Sequence, residues 1–206
     1  MWDIVLVNGY YLIETIGIIS FALSGVLSAK QKNFDAVGVY IVACVTAFGG
    51  GTIRDVILDI QPVYWISHAE YPLALLVMVI VFSLLKNFNI KENWLFVPDS
   101  IGLAFIATTS AQTAFEAELP FIVVAIIATI VACFGGIIRD ILCQQVPAVF
   151  QRTTPIYASI AFGGSYLLIA LNMFTDLGSS INMFIVAISI FMVRMLAKKY
   201  HIVLKL

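Results

Sequence analysis

Long apolar runs, separated by short polar connections, follow one another along almost the whole chain. Each run is close to the length of about 20 residues at which an α-helix crosses the hydrocarbon core of a bilayer. The pattern therefore predicts an all-α membrane protein with seven transmembrane helices in a single membrane domain, residues 1–206. The predicted helices span 9–29, 36–58, 71–86, 97–114, 120–143, 155–172 and 180–197.

The second and fifth runs each contain adjacent glycines followed, three or four residues later, by an Arg-Asp pair. Glycine costs roughly 1 kcal/mol relative to alanine inside a helix, and a charge at the centre of a spanning helix costs about 2.5–3.5 kcal/mol. We expect these glycines to kink the helices and to turn polar backbone toward a pathway; close helix packing through small residues is the alternative. The motif residues are Gly49, Gly50, Gly51, Arg54, Asp55, Gly135, Gly136, Arg139 and Asp140.

The two motifs lie 85 positions apart, and the same offset relates Gly17 to Gly102 and Glu14 to Asp99. Each repeat contains three predicted helices, so the second copy must enter the membrane from the opposite side. The offset thus predicts two inverted repeats, 9–86 and 94–172, with 180–197 as an extra helix. Transporters and some channels with this symmetry build their pathway at the repeat interface from interrupted helices.

Positive charge in the short connections predicts the orientation, because cytoplasmic loops are enriched in lysine and arginine. Four connections or ends on one side carry almost all the basic residues, whereas the opposite side carries only acidic ones. With seven spans, this puts the N-terminus outside and the C-terminus in the cytoplasm. The basic residues counted for the cytoplasmic side are Lys30, Lys32, Lys86, Lys91, Arg152, Arg194, Lys198, Lys199 and Lys205.

The two motif arginines remain inside predicted helices, where an unpaired charge would be expensive. Helix 1 runs inward and helix 2 outward, so Glu14 and Arg54 share the outer half of the bilayer. Inverted symmetry brings Asp99 and Arg139 together in the inner half. We therefore predict two ion pairs within the repeats, at opposite ends of one pathway.

Composition excludes several other classes of protein. The chain is 62% hydrophobic and 11% charged with a net charge of −1, which gives no basic surface for nucleic acid. Its three cysteines form no CxxC, no histidine has metal-ligand spacing, and neither a cleaved signal peptide nor a cofactor is expected. The Asp55 and Asp140 carboxylates would lie roughly 12 Å apart along the membrane normal, too far for an aspartyl-protease dyad. We do not expect an enzyme.

Other polar residues give weaker indications. Ser20, Ser24 and Ser28 are spaced by four along helix 1, which is most simply a seam of close packing. Helix 4 has a polar surface that favours a wetted face or interhelical hydrogen bonds, and its sequence leaves both open. The residues concerned are Ser100, Thr108, Thr109, Ser110, Gln112 and Thr113.

The paired motifs GGGTIRD and GGIIRD, in a chain of 206 residues with two inverted repeats, resemble those of the prokaryotic trimeric intracellular cation (TRIC) channels. The same bacterial sequences have also been grouped as glycine-transporter-like. The resemblance implies a homotrimer with one pathway for monovalent cations, chiefly potassium, in each protomer around kinked helices 2 and 5. The second copy departs from the pattern, with Phe134 where the first has Gly49.

The resemblance and the residues together predict a potassium-permeable channel in a prokaryotic cell membrane, with a small-solute transporter, such as one for glycine, as the alternative. A structural membrane subunit would leave the intramembrane charges without a role. Basic residues at the cytoplasmic ends could hold anionic membrane lipids. Ordinary topology explains those residues equally well.

Overall fold

The computed structural model describes residues 2–84 and 94–203, with side chains from residue 9 onward, and the regular structure within these ranges is helical. Most of the chain lies in long α-helices joined by short connections. A 3₁₀ turn, Ala148–Phe150, lies between α6 and α7. The α-helices are α1 Trp2–Gln31, α2 Ala36–Ile57, α3 Tyr64–Ser67, α4 Glu70–Leu84, α5 Phe96–Glu116, α6 Phe121–Leu142, α7 Ala158–Phe174 and α8 Ser179–Lys199.

A helix covers each of the apolar runs in the described ranges, and most ends agree with the predicted bounds to within two or three residues. Helix α1 differs most, because it begins at Trp2 rather than at residue 9. The short α3 was not predicted. The predicted end of the third helix, at residue 86, lies outside the described residues.

Four of the described helices are long and apolar enough to cross a membrane, within 9–31, 36–57, 121–142 and 179–199, and two more, α4 and α7, are apolar but shorter. Helix α5 has 21 residues but is more polar. It packs against α1, α6, α7 and α8, and nearly every side chain from Pro98 to Ala114 is buried. Because neighbouring helices cover α5, it needs no lipid-facing apolar surface.

Helices α2 and α6 contact each other through their glycines. A Cβ atom on Gly50 would overlap the carbonyl oxygen of Val131, and one on Gly135 would overlap the carbonyl oxygen of Thr46. Val131 and Gly135 lie 85 residues after Thr46 and Gly50, so the 85-residue offset relates each of these contacts to the other. Close packing, the alternative for these glycines, is therefore present at both positions.

Both motif helices are continuous through their glycines: α2 runs from Ala36 to Ile57 and α6 from Phe121 to Leu142. The glycines end neither helix. The predicted kinks would have to be bends within continuous helices, and they stay a prediction.

Candidate functional site: two buried charge clusters

The first cluster is centred on Arg54, near the C-terminal end of α2. Its Nη1 donates to Glu14 Oε1 of α1 at 2.9 Å and to the Tyr10 hydroxyl at 3.2 Å, and its Nε donates to Asp55 Oδ1 at 2.8 Å. The backbone N–H of Tyr64 donates to Asp55 Oδ2 at 2.8 Å. Arg54, Glu14 and Asp55 are each at most 2% exposed, so their charges interact without screening by solvent.

The second cluster is centred on Arg139, at the corresponding position of α6. Its Nη1 donates to Asp99 Oδ1 of α5 at 2.6 Å and to Ser24 Oγ of α1 at 2.9 Å, and its Nε donates to Asp140 Oδ1 at 2.9 Å. The backbone N–H of Ala148 donates to Asp140 Oδ2 at 2.9 Å. The geometry around Arg139 thus repeats the geometry around Arg54.

Both predicted ion pairs, Glu14–Arg54 and Asp99–Arg139, are confirmed by these contacts. In each motif the aspartate has the same two functions: one oxygen accepts from the neighbouring arginine, and the other accepts from the backbone just beyond the helix. Each aspartate therefore holds its arginine in place and also ties down the connection that follows.

Arg194, counted above among the basic residues of the C-terminal end, does not lie in a solvent-exposed end of the chain. Its side chain is buried, its Nη2 donates to Asp99 Oδ2 at 2.6 Å, and its guanidinium carbon lies 3.9 Å from the centre of the Tyr157 ring. The Tyr157 hydroxyl in turn donates to Asp99 Oδ1 at 3.4 Å. Helix α8 continues to Lys199, so Arg194 lies more than a turn inside it, where a carboxylate and an aromatic face replace water.

The two clusters differ in formal charge. The Arg139 cluster holds the carboxylates of Asp99 and Asp140 with two arginines, so its charges cancel. The Arg54 cluster holds two carboxylates with one arginine and carries a net charge of −1. The electrostatic potential within the fold is therefore more negative around Arg54 than around Arg139.

Three further cluster residues also escaped sequence reasoning: Ser24, Tyr10 and Tyr157. The sequence favours a packing seam for Ser24, yet Ser24 accepts a hydrogen bond from Arg139. Tyr10 lies four residues before Glu14, a spacing that puts both on one face of a helix and could have indicated it. Arg194 could have been recognised as a buried charge because it lies inside the predicted helix 180–197. We find no comparable signal for Tyr157.

A polar cavity of about 660 Å³ opens where the ends of α5, α6, α7 and α8 meet. A chain of side-chain hydrogen bonds passes along it, from Glu116 through Gln112 and Asn172 to Asn182, with distances of 2.7 to 2.9 Å. The described residues contain no cluster of three or more His, Cys, Asp or Glu side chains suited to a metal ion. Amide groups and the side chains of Glu116 and Glu118 therefore line this cavity.

Five of the six polar residues of helix 4, now α5, make hydrogen bonds, whereas the buried Ser110 hydroxyl has no partner among the described residues. The Thr108 and Thr113 hydroxyls donate to carbonyl oxygens one turn earlier in their own helix, at 2.7 and 2.9 Å. Gln112 accepts a hydrogen bond from Asn172 of α7. Of the two interpretations left open by the sequence, interhelical hydrogen bonding therefore holds for Gln112.

The sequence model of a family described as "Glycine transporter" matches the chain over residues 11–87 and again over 96–173. The two matches begin at residues 11 and 96, which are 85 residues apart. The family pattern therefore occurs twice in this chain, at the offset that relates the two clusters.

Several bacterial membrane proteins of the UPF0126 group are similar in sequence. One from Vibrio cholerae is 34% identical over 195 residues, covering 93% of this chain and 80% of the relative. YvgT of Bacillus subtilis is 38% identical over 180 residues, covering 84% of each chain. YadS, an inner membrane protein of Escherichia coli K12, is 34% identical over 156 residues, covering 75% of this chain and 74% of the relative.

Solved structures with the same fold include a prokaryotic TRIC channel crystallised in 0.5 M KCl. Its TM-score is 0.84 at 30% identity, covering 97% of this chain and 98% of that one. The trimeric intracellular cation channel orthologue from Rhodobacter sphaeroides gives a TM-score of 0.84 at 27% identity, covering 94% and 98%. The likeness therefore extends over nearly the full length of each chain.

Proposed function

The chain belongs to the prokaryotic TRIC channel family and itself matches the glycine-transporter model, and from this membership we propose that it is a cation-permeable channel. It is a multi-pass membrane protein, and its relatives are named membrane proteins. The observation that carries the proposal is the likeness to a prokaryotic TRIC channel over 97% of the chain.

We propose that each protomer contains one pathway, formed around α2 and α6. The support is that these helices are in close backbone contact at Gly50 and Gly135, with the Arg54 and Arg139 clusters one turn beyond. Charged groups within a membrane protein typically mark the route of an ion. Bends of α2 at Gly49–Gly51 and of α6 at Gly135–Gly136 would widen or close the ion pathway between these two helices.

The proposed architecture has seven spans, with repeats 9–86 and 94–172 inverted in the membrane and 180–197 added. Two matching contacts support this architecture: Gly17 packs on Ile106, and Gly102 packs on Phe21. The offset of 85 residues relates each of these contacts to the other. Backbone conformation supports it as well: the turns after α2 and α6 have φ values of 53° at Asp59 and 54° at Gln144. Because each repeat would contain three spans, an odd number, the second repeat would start on the opposite side of the membrane and be inverted relative to the first.

The proposed orientation has the N-terminus outside and the C-terminus in the cytoplasm, because Lys30, Arg152 and Lys198 then lie on the cytoplasmic side. The Arg54 cluster would then lie toward the outside and the Arg139 cluster toward the cytoplasm. Basic side chains at the cytoplasmic ends would also suit the headgroups of anionic lipids.

We propose potassium as the main permeant ion and a homotrimer as the assembly, on the basis of the structural relatives, one of which is named a trimeric cation channel. Selectivity should be modest, because the sequence has no TVGYG-like filter of backbone carbonyls. Acidic residues in the connections on the proposed outer side would raise the local concentration of cations.

A small-solute transporter, for example of glycine, is the second candidate, and the polar cavity beside Gln112 and Asn182 favours it. The two functions are distinguished by reconstituting the purified protein in planar bilayers and in liposomes. A channel gives discrete single-channel currents carried by K⁺, without saturable glycine uptake. A transporter gives saturable uptake of labelled glycine that unlabelled glycine competes for, without such currents, and protein-free membranes are the control.

A further inference from the structure

Glu14 and Asp99 occupy equivalent positions in the two clusters, but their carboxylates are satisfied differently. Both oxygens of Asp99 accept from guanidinium groups, Oδ1 from Arg139 and Oδ2 from Arg194. Glu14 accepts from Arg54 through Oε1, whereas its Oε2 is buried and has no hydrogen-bond partner among the described residues. Because a buried, unpaired carboxylate oxygen is unfavourable, this atom is suited to bind a further positive or donor group.

The net charge of the Arg54 cluster is a second, independent reason to expect a further positive group beside Glu14. The Arg139 cluster is balanced by the guanidinium of Arg194, which comes from the extra helix α8. The Arg54 cluster has no second arginine or lysine in its ion pairs, as far as the described part of the chain extends, and its net charge is −1. One monovalent cation would make the two clusters equal in charge.

The space beside Glu14 gives a third reason. A Cβ atom on Gly51 would have a single neighbour within 4 Å among the described residues, Glu14 Oε1 at 3.9 Å. At the equivalent Gly136, a Cβ atom would meet the Tyr157 hydroxyl at 2.9 Å. The position of the Tyr157 hydroxyl beside Gly136 therefore has no counterpart beside Gly51, on the Oε1 side of the Glu14 carboxylate.

We propose that Glu14 Oε2 is a binding site for one partly dehydrated monovalent cation, which has in the Arg54 cluster the role that Arg194 has in the Arg139 cluster. Carboxylate and hydroxyl oxygens are suitable ligands for hard cations, and the Tyr10 hydroxyl is held in this cluster by Arg54. A divalent ion would overcompensate the single negative charge.

The proposal rests on the proposed function in one respect only, namely that the bound ion belongs to the conduction pathway. Its binding can be measured separately, by thermal unfolding of the purified protein in lipid nanodiscs with K⁺ or with N-methyl-D-glucamine at equal ionic strength. Crystals soaked in Tl⁺ then locate the site by anomalous scattering.

We expect K⁺ to raise the midpoint of unfolding saturably, since a ligand that binds only the folded state stabilises it. Glu14→Gln removes the charge and should abolish the shift. Gly51→Ala puts a methyl group beside Oε1 without a clash and should weaken K⁺ binding by about tenfold or more, equivalent to about 1.4 kcal/mol. Gly163→Ala is the matched control, because Gly163 lies on α7 outside both clusters and the described structure has no neighbouring side chain or helix within 4 Å of its Cβ position.

An unchanged K⁺ shift in both Glu14→Gln and Gly51→Ala, or Tl⁺ bound only elsewhere, would overturn the proposal. So would a protonated-carboxyl infrared band that persists in KCl and is absent from Glu14→Gln. If Glu14→Gln does not fold, Gly51→Ala decides. Potassium currents without K⁺ binding at Glu14 would disprove the proposed site but not the proposed channel function. K⁺ binding at Glu14 without currents would support the site and disprove the channel function.

Discussion

Arg194 Nη2 lies 2.6 Å from Asp99 Oδ2, so the last helix of the chain contributes directly to the Arg139 cluster. Helix α8 lies outside both repeats as the sequence predicts them, and the Arg54 cluster has no arginine equivalent to Arg194. This contact therefore makes two otherwise matching clusters unequal in charge. It also fixes α8 against α5 through a buried ion pair.

Arg194→Gln should destabilise the fold, because it removes one of the two guanidinium groups that neutralise Asp99. Breaking a buried ion pair costs up to roughly 3–5 kcal/mol. If the protein conducts cations, loss of a fixed positive charge should also increase the single-channel K⁺ conductance. Thermal unfolding and bilayer recordings test both effects. Lys199→Gln, an exposed change on the same helix, is the control, and equal behaviour of the two variants would contradict the prediction.

Gly50→Ala and Gly135→Ala should each destabilise the packing of α2 on α6, because the added methyl group overlaps a backbone carbonyl that cannot move independently. Overpacking of this kind typically costs about 1–3 kcal/mol. Gly163→Ala is the control, since no atom of the described structure lies within 4 Å of its Cβ position. If all three variants unfold at the same midpoint as the unsubstituted protein, Gly50 and Gly135 are not required for the packing of α2 on α6.

Arg54→Ala should be more destabilising than Arg139→Ala, although the two arginines make matching contacts. Without Arg54, Glu14 and Asp55 remain with no cation in their ion pairs, whereas without Arg139 the carboxylate of Asp99 still pairs with Arg194. Chemical or thermal unfolding in nanodiscs measures the difference, with the exposed Arg152→Ala as the control. The reverse order would show that formal charge does not govern these clusters.

The same two variants also test the pathway. If the arginines flank the ion route, Arg54→Ala and Arg139→Ala should alter conductance or gating in planar bilayers. Unchanged single-channel currents in both would reduce the arginines to structural partners.

Asn172→Leu should destabilise the protein by leaving two buried amide groups without their partner. Gln112 Oε1 accepts from Asn172, and Asn182 Nδ2 donates to it; an unsatisfied buried polar group costs about 1–3 kcal/mol. Met173→Leu changes an exposed neighbour of similar size and serves as the control. Equal unfolding midpoints for the two variants would argue against a structural role for the amide chain.

The proposed orientation predicts which exposed positions react from outside the cell. With Cys44 replaced by alanine, Asp176→Cys should react with a membrane-impermeant maleimide on intact cells. Arg152→Cys should react only after the membrane is opened. The remaining native cysteines, Cys133 and Cys143, are buried and provide the background level. The opposite labelling pattern would reverse the orientation.

The ion pairs could be predicted from the sequence because two simple constraints act on them. Glu14 and Arg54 are 40 residues apart, as are Asp99 and Arg139, and consecutive helices that run in opposite directions bring each pair to the same depth. A charge buried at that depth needs a partner of opposite sign. The glycines were more ambiguous, because the residue that permits a bend also permits close packing.

The sequence by itself determined the apolar helices, the repeat of 85 residues and the two arginine pairs, because helix formation in an apolar solvent and the pairing of buried charges depend on local pattern and depth. Only the tertiary structure decided that Arg194 joins Asp99, that Ser24 joins Arg139 and that one oxygen of Glu14 has no partner among the described residues. Those features depend on which helix faces pack together, and α8 reaches α5 from about 95 residues away along the chain. Packing at that separation follows from the shapes of all the neighbouring helices, and no periodicity within one helix encodes it.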